Sequence, residues 1–115
     1  MPLVTVKTNT SSESIPKDFH VRVTKTLAEV MGKPEERISV TLEPGRSMTR
    51  GGTSEPYCEV HIVAIGVESR EKTQPVVQQL TKVITDQTGI PSHRVAIWIV
   101  SAQPHHIGVN GELMG

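Results

Sequence analysis

Apolar residues recur along the chain with two different spacings. Residues 3–6 and 60–63 are rich in aliphatic and β-branched side chains, which favour β-strands. Two other stretches carry apolar residues three or four positions apart, the spacing of one helix face. The first stripe consists of Phe19, Val23, Leu27, Val30 and Met31, and the second of Val76, Val77, Leu80, Val83 and Ile84. The pattern therefore predicts two helices, each preceded by a strand.

The chain also repeats itself in two halves. The pattern Gly-x-Pro-x-x-Arg followed by an aliphatic residue begins at Gly32 and again at Gly89. Each glycine lies just beyond a predicted helix, where a left-handed conformation costs glycine little, and the proline two residues later prevents the helix from continuing. Each half therefore predicts a strand, a helix and a second strand.

This order predicts an α+β fold with a single domain over residues 1–115. A strand–helix–strand unit makes its two strands parallel neighbours with a right-handed crossover. Two such pseudo-repeated β-α-β units give a four-stranded mixed sheet with both helices on one face. Residues 43–56 are predicted to be the loop between the halves, and residues 103–115 a loop with a short strand.

The other face of this sheet has no helices to cover it. Residues 60–65 and 95–100 are almost continuously apolar, which is typical of strands buried on both faces. Since one chain supplies helices for one face only, we expect the other face to pack against further copies of the chain in a homo-oligomer.

Charge and cysteine content exclude several classes of partner and structure. Twelve lysines and arginines balance twelve aspartates and glutamates, so we expect neither nucleic acid nor a membrane as a partner. Cys58 is the only cysteine, which excludes an intrachain disulfide, and we expect it to be a packed or partly exposed thiol. The first residues lack the pattern of a signal peptide, so we expect a soluble protein made in the cytosol.

Metal and nucleophile signatures are weak. His105 and His106 are adjacent and are expected to point in different directions, and the other histidines are scattered, so we expect solvated histidines and no metal. Gly51-Gly52 lacks the lysine of a phosphate-binding loop. No serine hydrolase signature is present, and we expect no cofactor.

Pro2 is a candidate general base. Removal of Met1 would leave a secondary amine at Pro2, and an α-amino group has a reference pKa of about 7.7–8.0. Burial or a nearby cation lowers that pKa, so the amine would be neutral near physiological pH. It could then accept a proton without help from a side chain. The alternative is an inert terminus.

Lys33 and Arg37 lie four residues apart on the predicted turn between the first helix and the second strand. The two cations could bind the carboxylate of a substrate, with arginine offering two parallel hydrogen bonds. The alternative is an exposed basic corner without function, because Arg94 holds the equivalent place in the second half.

Motifs along the whole chain resemble the macrophage migration inhibitory factor and D-dopachrome tautomerase family. The segments that carry the resemblance are Met1-Pro2, Thr8-Asn9, Gly32-Lys33-Pro34, Ser54-Glu55-Pro56, Ile65-Gly66 and Ile107-Gly108. The resemblance implies a homotrimer in which the sheets surround a central channel and the helices lie outside. It also implies active sites between neighbouring subunits, which would account for the uncovered sheet face.

The resemblance implies a cofactor-independent tautomerase for phenylpyruvate-like or dopachrome-like acids, with Pro2 as the catalytic base. Lys33 matches the family's carboxylate-binding lysine, and Ile65 matches a pocket residue. Arg37 would add a second cation, as in the dopachrome tautomerase branch, and Ile107 would add apolar surface.

This chain departs from the migration inhibitory factor branch at several positions. Ala96 and Trp98 replace a tyrosine and an asparagine that the resemblance places across the subunit interface. Tyr57 and Val60 replace the cysteines of a CxxC motif, so no thiol–disulfide activity is expected.

The resemblance also implies a second class of function, binding of a cell-surface receptor such as the class II invariant chain. In that alternative the protein is a cytokine-like ligand with weak or vestigial catalysis. The family's members occur in the cytoplasm and leave cells without a signal peptide, which implies both locations for this protein.

Overall fold

The computed structural model describes residues 1–114 and contains one main sheet with two long helices. Along the chain, the strands and helices are β1 (Pro2–Thr8), α1 (Phe19–Met31), β2 (Ser39–Glu43), β3 (Cys58–Ala64), α2 (Arg70–Thr88), β4 (Val95–Ser101), β5 (Gly108–Val109) and β6 (Glu112–Leu113). β5 and β6 form a small antiparallel hairpin in the tail, where a short strand was predicted. Gly115, the last residue of that predicted segment, lies outside the described residues.

The main sheet has the strand order β2-β1-β3-β4. β1 is parallel to β2, β3 is parallel to β4, and the two pairs meet through the antiparallel contact of β1 with β3. Each half of the chain is therefore a β-α-β unit, and the predicted four-stranded mixed sheet with its two-helix layer is confirmed. In this order β1 and β3 lie at the centre of the sheet and β2 and β4 at its edges.

The core lies between the sheet and the helices. Alternate residues of the central strands, such as Val4, Val6, Val60 and Ile62, are at most 2% exposed. The predicted helical stripes supply the opposite side of this core, which includes Phe19, Val23, Leu27, Val76, Leu80 and Ile84. Cys58 is buried in the same cluster, so of the two expected states it takes the packed one, and burial raises its pKa to about 12.

The sheet face away from the helices, here called the open face, carries exposed apolar side chains. Leu3, Trp98 and Val100 are 43%, 66% and 44% exposed. The sequence predicted burial on both faces of residues 95–100, and one subunit provides it only on the helix side. Burial of the open face requires another chain.

Both predicted glycine caps are present. Gly32 and Gly89 follow α1 and α2 with φ of 64° and 78°, a left-handed conformation that a side chain would strain. The backbone N–H of Lys33 donates to the carbonyl of Ala28 at 3.1 Å, so the end of α1 fixes where Lys33 leaves the helix.

Arg94 and Arg37 occupy equivalent positions in the repeat but different environments. Arg37 is exposed, whereas Arg94 is only 8% exposed and is not a basic surface corner. The Arg94 guanidinium donates to the carbonyl oxygens of Arg50 and Glu55, both at 2.8 Å, and of Pro56 at 3.2 Å. Arg94 therefore anchors the loop between the halves, and it is not a parallel for Arg37.

Candidate active site

One end of the sheet brings most of the predicted site residues together. In the sheet register Pro2 lies opposite Ala64, so Ile65 follows directly beside the start of β1. Leu3 pairs with Ser39, two residues after the short helical turn Glu35–Arg37, which places Arg37 near the same end. Pro2, Ile65 and Arg37 therefore converge where β1 begins.

Burial and two cations act on the chain's amino group at this end. Burial lowers the pKa of the Met1 amino group, and the positive charges of Lys33 and Arg37 lower it further. The Pro2 side chain is among the fully buried ones. We expect the same effects on an amine at Pro2, the next residue, because its side chain is buried.

A groove of about 340 Å³ begins beside Lys33 and Ile65. Its walls are mainly apolar and include Val30, Met31, Val67 and Pro75 from α1, α2 and the loop before α2. Of the predicted site residues only Lys33 and Ile65 line this groove, and Glu71 and Lys72 add charged side chains to its wall. The half-buried Lys33 can bind a carboxylate at this position.

Ile107 lies at the same end of the sheet, in the tail. The N–H of Ala102 donates to the carbonyl of Ala64 at 2.8 Å, and Pro104 borders Ile65 in a shallow depression. Ile107 follows the turn Pro104–His106 and is 7% exposed. Its carbonyl accepts the N–H of Met114 at 2.9 Å, so the tail closes on itself around Ile107.

Trp98 is not part of this cluster within one chain. It pairs with His61, three residues before the end of β4, which is about 10 Å along the strand from the Pro2 end. Two strand spacings also separate β4 from β1. Trp98 can therefore contribute to a site around Pro2 only in an assembly of subunits.

Sequence reasoning missed a hydrogen-bonded group on the open face. His61 contacts the Glu59 carboxylate at 2.7 Å instead of being solvated, and Tyr57 donates to the same carboxylate at 3.0 Å. The hydrogen bond from His61 is the main cause that lowers the pKa of Glu59, and burial opposes it. Alternation along β3 could have revealed the pair, because residues two apart on a strand share a face.

His105 and His106 are both exposed, as expected for solvated histidines, but their side chains do not point apart. Their rings contact each other, with centroids 4.2 Å apart in an edge-to-face arrangement, because the tight turn Pro104–His106 brings the adjacent side chains together. Across residues 1–114, no three metal-ligating side chains lie close enough together to hold an ion. In the same part of the chain, no helix has the length and apolar character needed to cross a membrane.

Comparison with known proteins gives one family. The family model of macrophage migration inhibitory factor matches residues 1–115. The MIF-like protein mif-2 of Caenorhabditis elegans is 36% identical over 111 residues, which cover 96% of this chain and 92% of the relative. D-dopachrome decarboxylase-B of Xenopus laevis is 33% identical over 115 residues, with 99% and 98% coverage.

Solved structures agree with the fold. A macrophage migration inhibitory factor homologue from Prochlorococcus marinus superposes with a TM-score of 0.88 at 28% identity, covering 98% of this chain and 99% of its own. The macrophage migration inhibitory factor of Oncomelania hupensis has a TM-score of 0.95 at 23% identity, covering 100% and 83%. The second likeness supports the fold alone.

Proposed function

The chain belongs to the macrophage migration inhibitory factor family, and we propose that it is a cofactor-independent keto–enol tautomerase with Pro2 as its general base. The substrates are phenylpyruvate-like or dopachrome-like acids. The observation that carries this proposal is the position of the chain's amino group, at the buried end of β1 beside Lys33 and Arg37. Relatives named as D-dopachrome decarboxylases support the substrate class.

The proposed reaction moves one proton between two atoms of the substrate. With Met1 removed, the neutral amine of Pro2 takes a proton from the carbon next to the keto group and returns it to the carbonyl oxygen, which gives the enol. Lys33 binds the substrate carboxylate, and Arg37 supplies a second positive charge. Ile65 and Ile107 surround the apolar part of the substrate, and the reaction requires no metal or cofactor.

We expect Lys33 to act on substrate binding. Lys33→Ala should raise KM for phenylpyruvate about tenfold, because it removes a charged hydrogen-bond donor to the carboxylate, and should change kcat less. Enol–keto conversion measured over a range of substrate concentrations checks this. Arg37→Ala should have a smaller effect that is not additive with the first, since both cations share one anion.

The matched control is Lys82→Ala, which removes a lysine on α2 that pairs with Asp86 at 3.2 Å. Kinetics unaltered in both the Lys33 and the Arg37 variant would show that this turn is only a solvated basic corner.

The proposed active form is a homotrimer of the single domain over residues 1–115. The exposed apolar side chains of the open face support an interface there. In that assembly, Trp98 and Ala96 of one subunit reach the Pro2 site of its neighbour.

Assembly can be followed through Trp98, the only tryptophan. Light scattering at micromolar concentration should give three times the chain mass. Dilution or mild denaturant that dissociates the oligomer should shift the tryptophan emission to the red, because the side chain is 66% exposed in an isolated subunit. A stable monomer at micromolar concentration would contradict the proposed assembly.

A second candidate function is that of a cytokine-like ligand with weak or vestigial catalysis. The match to the family model and to relatives named macrophage migration inhibitory factor favours it. The partner would be a cell-surface receptor resembling the class II invariant chain, and the protein would occur in the cytoplasm and outside the cell. Receptor binding by a protein whose Pro2 amine is blocked would separate this function from catalysis.

A further inference from the structure

A series of side-chain contacts crosses the open face from the buried Tyr57 through Glu59 and His61 to the exposed Trp98. Tyr57 Oη donates to Glu59 Oε2 at 3.0 Å, and His61 Nε2 donates to Glu59 Oε1 at 2.7 Å, since a carboxylate only accepts. The His61 ring lies against the Trp98 ring with centroids 5.6 Å apart and planes inclined by 41°. Trp98 therefore packs against His61, His61 is hydrogen-bonded to Glu59, and Glu59 is hydrogen-bonded to Tyr57.

Tyr57, at the buried end of this series of contacts, packs against two arginines. Tyr57 is 3% exposed, and the guanidinium groups of Arg94 and Arg50 lie 5.5 and 5.8 Å from its ring centroid. Arg94 is itself fixed by three carbonyl oxygens of the loop between the halves. The buried Tyr57 therefore fixes the Glu59 carboxylate through one hydrogen bond, and that carboxylate fixes the His61 ring through a second one.

We propose that Tyr57, Glu59 and His61 are positioning residues that hold Trp98 in one orientation, as an aromatic wall that makes the tautomerase selective for aryl over aliphatic keto acids. This inference rests on the proposed function and its assembly, in which Trp98 reaches the site of a neighbouring subunit. Trp98 borders a depression of about 480 Å³ together with Ala96, whose small side chain leaves space for a substrate ring.

The physical reason is preorganisation. Within its own subunit Trp98 is 66% exposed, and the His61 ring is the aromatic side chain that packs against it. Without that contact, Trp98 would have to be ordered when the subunits assemble or when the substrate binds, which costs binding free energy. Because His61 packs against Trp98 in the folded subunit, the tryptophan side chain is already ordered before a substrate binds. An aryl substituent gains from a fixed aromatic surface through stacking, whereas a short aliphatic substituent gains much less.

The first measurement is spectroscopic and needs no activity. Near-ultraviolet circular dichroism and fluorescence anisotropy report on Trp98 alone among indoles, because the chain has one tryptophan. His61→Leu should weaken the near-ultraviolet signal and lower the anisotropy, and Glu59→Ala, which releases His61, should do the same. His61→Phe keeps a ring against Trp98 and should retain more of both signals.

The control is His20→Leu, at an exposed position on α1 on the opposite side of the sheet. Far-ultraviolet dichroism and light scattering verify that each variant is folded and assembled. Folded, assembled His61→Leu and Glu59→Ala proteins with unchanged Trp98 signals would overturn the positioning role, whether or not the protein is a tautomerase.

The second measurement tests selectivity. Exchange of the C3 protons of phenylpyruvate and of 2-oxobutanoate into D₂O, followed by NMR, gives kcat/KM for an aryl and an aliphatic keto acid in one assay. His61→Leu should reduce the aryl-to-aliphatic ratio about threefold to tenfold, mainly through KM for phenylpyruvate, and Trp98→Ala should reduce it at least as much. His61→Phe should restore part of the ratio.

The outcomes separate the two proposals. An unaltered protein that exchanges neither substrate contradicts the proposed function and, with it, the selectivity, while the Trp98 signals still decide the positioning role. An active protein whose ratio stays the same when the Trp98 signals fall overturns the selectivity alone. A joint fall of signal and ratio supports the inference.

Discussion

Inserting an alanine between Met1 and Pro2 should abolish tautomerase activity and leave the fold intact. The insertion converts the Pro2 nitrogen into an amide, which does not accept a proton near neutral pH. General base catalysis contributes about 10²–10⁴-fold, so kcat/KM for phenylpyruvate should fall at least about a hundredfold. The enol–keto assay measures the loss, and light scattering with far-ultraviolet dichroism verifies the assembly.

The matched variant is Pro2→Gly, which keeps a terminal amine without the ring. It should retain part of the activity, because the base is present but is held less firmly at the start of β1. Full activity in the protein with the inserted alanine would show that another group takes the proton.

Arg94→Leu should lower the free energy of unfolding by about 3 kcal/mol or more. It removes donors from three loop carbonyls, and hydrogen bonds from a charged group contribute about 1.5–3 kcal/mol each to stability, with incomplete additivity. It also removes one of the two cations next to the Tyr57 ring. Urea unfolding at a fixed protein concentration measures the change.

Two variants test the cause of this loss. Arg37→Leu changes the equivalent position of the repeat, where the side chain is exposed, and should cost less than about 0.5 kcal/mol. Arg94→Lys keeps the charge but lacks the planar group that reaches several carbonyls, so it should remain clearly destabilised. Equal stability of the two leucine variants would contradict the anchoring role of Arg94.

The repeat made most of the fold predictable. The helical stripes, the left-handed Gly32 and Gly89, and the repeated Gly-x-Pro-x-x-Arg pattern together predict two β-α-β units, which the structure joins in one sheet. These are local signals, since the spacing of apolar residues and the conformation of a glycine depend on nearby sequence. The open face was predictable in the same way, because two helices cover one face only.

The difference between Arg37 and Arg94 was not predictable from the pattern that relates them. What buries Arg94 is the loop between the halves, which contacts it from about forty positions away. Local sequence does not encode such a contact, and the arginine of the first half has no corresponding loop over it. To predict the Tyr57–Glu59–His61 group from the sequence, one would also need the ends of β3 and the face of the sheet on which each residue lies.

The sequence predicts the residues of the candidate site, and the fold brings only some of them to one place. Pro2, Ile65 and Arg37 converge because the register of β1 with its neighbours brings them to one end, next to Lys33. Trp98 lies elsewhere on the sheet, and the role proposed for it depends on the surface of another subunit. Interactions between subunits leave no periodic signal beyond the apolar character of the face they cover.

The pH dependence of catalysis should follow the terminal amine. The base must be unprotonated, so kcat/KM should rise with pH through its pKa, and a lowered pKa places that rise below the reference of about 7.7. Burial is the first cause that lowers the pKa of the Met1 amino group, Lys33 and Arg37 follow, and we expect the same causes to act on the Pro2 amine. Lys33→Met removes one positive charge and should move the rise toward higher pH.

The central claim is that the amine of Pro2 is the base, and an NMR titration tests it most directly. Protein labelled with ¹⁵N-proline, with an intact mass that shows Met1 removed, is titrated while kcat/KM is measured on the same sample. We predict that the Pro2 nitrogen titrates at the pH of the kinetic rise, below about 7.7. An active protein in which the Pro2 nitrogen is an amide, or titrates far from the kinetic rise, would contradict the claim.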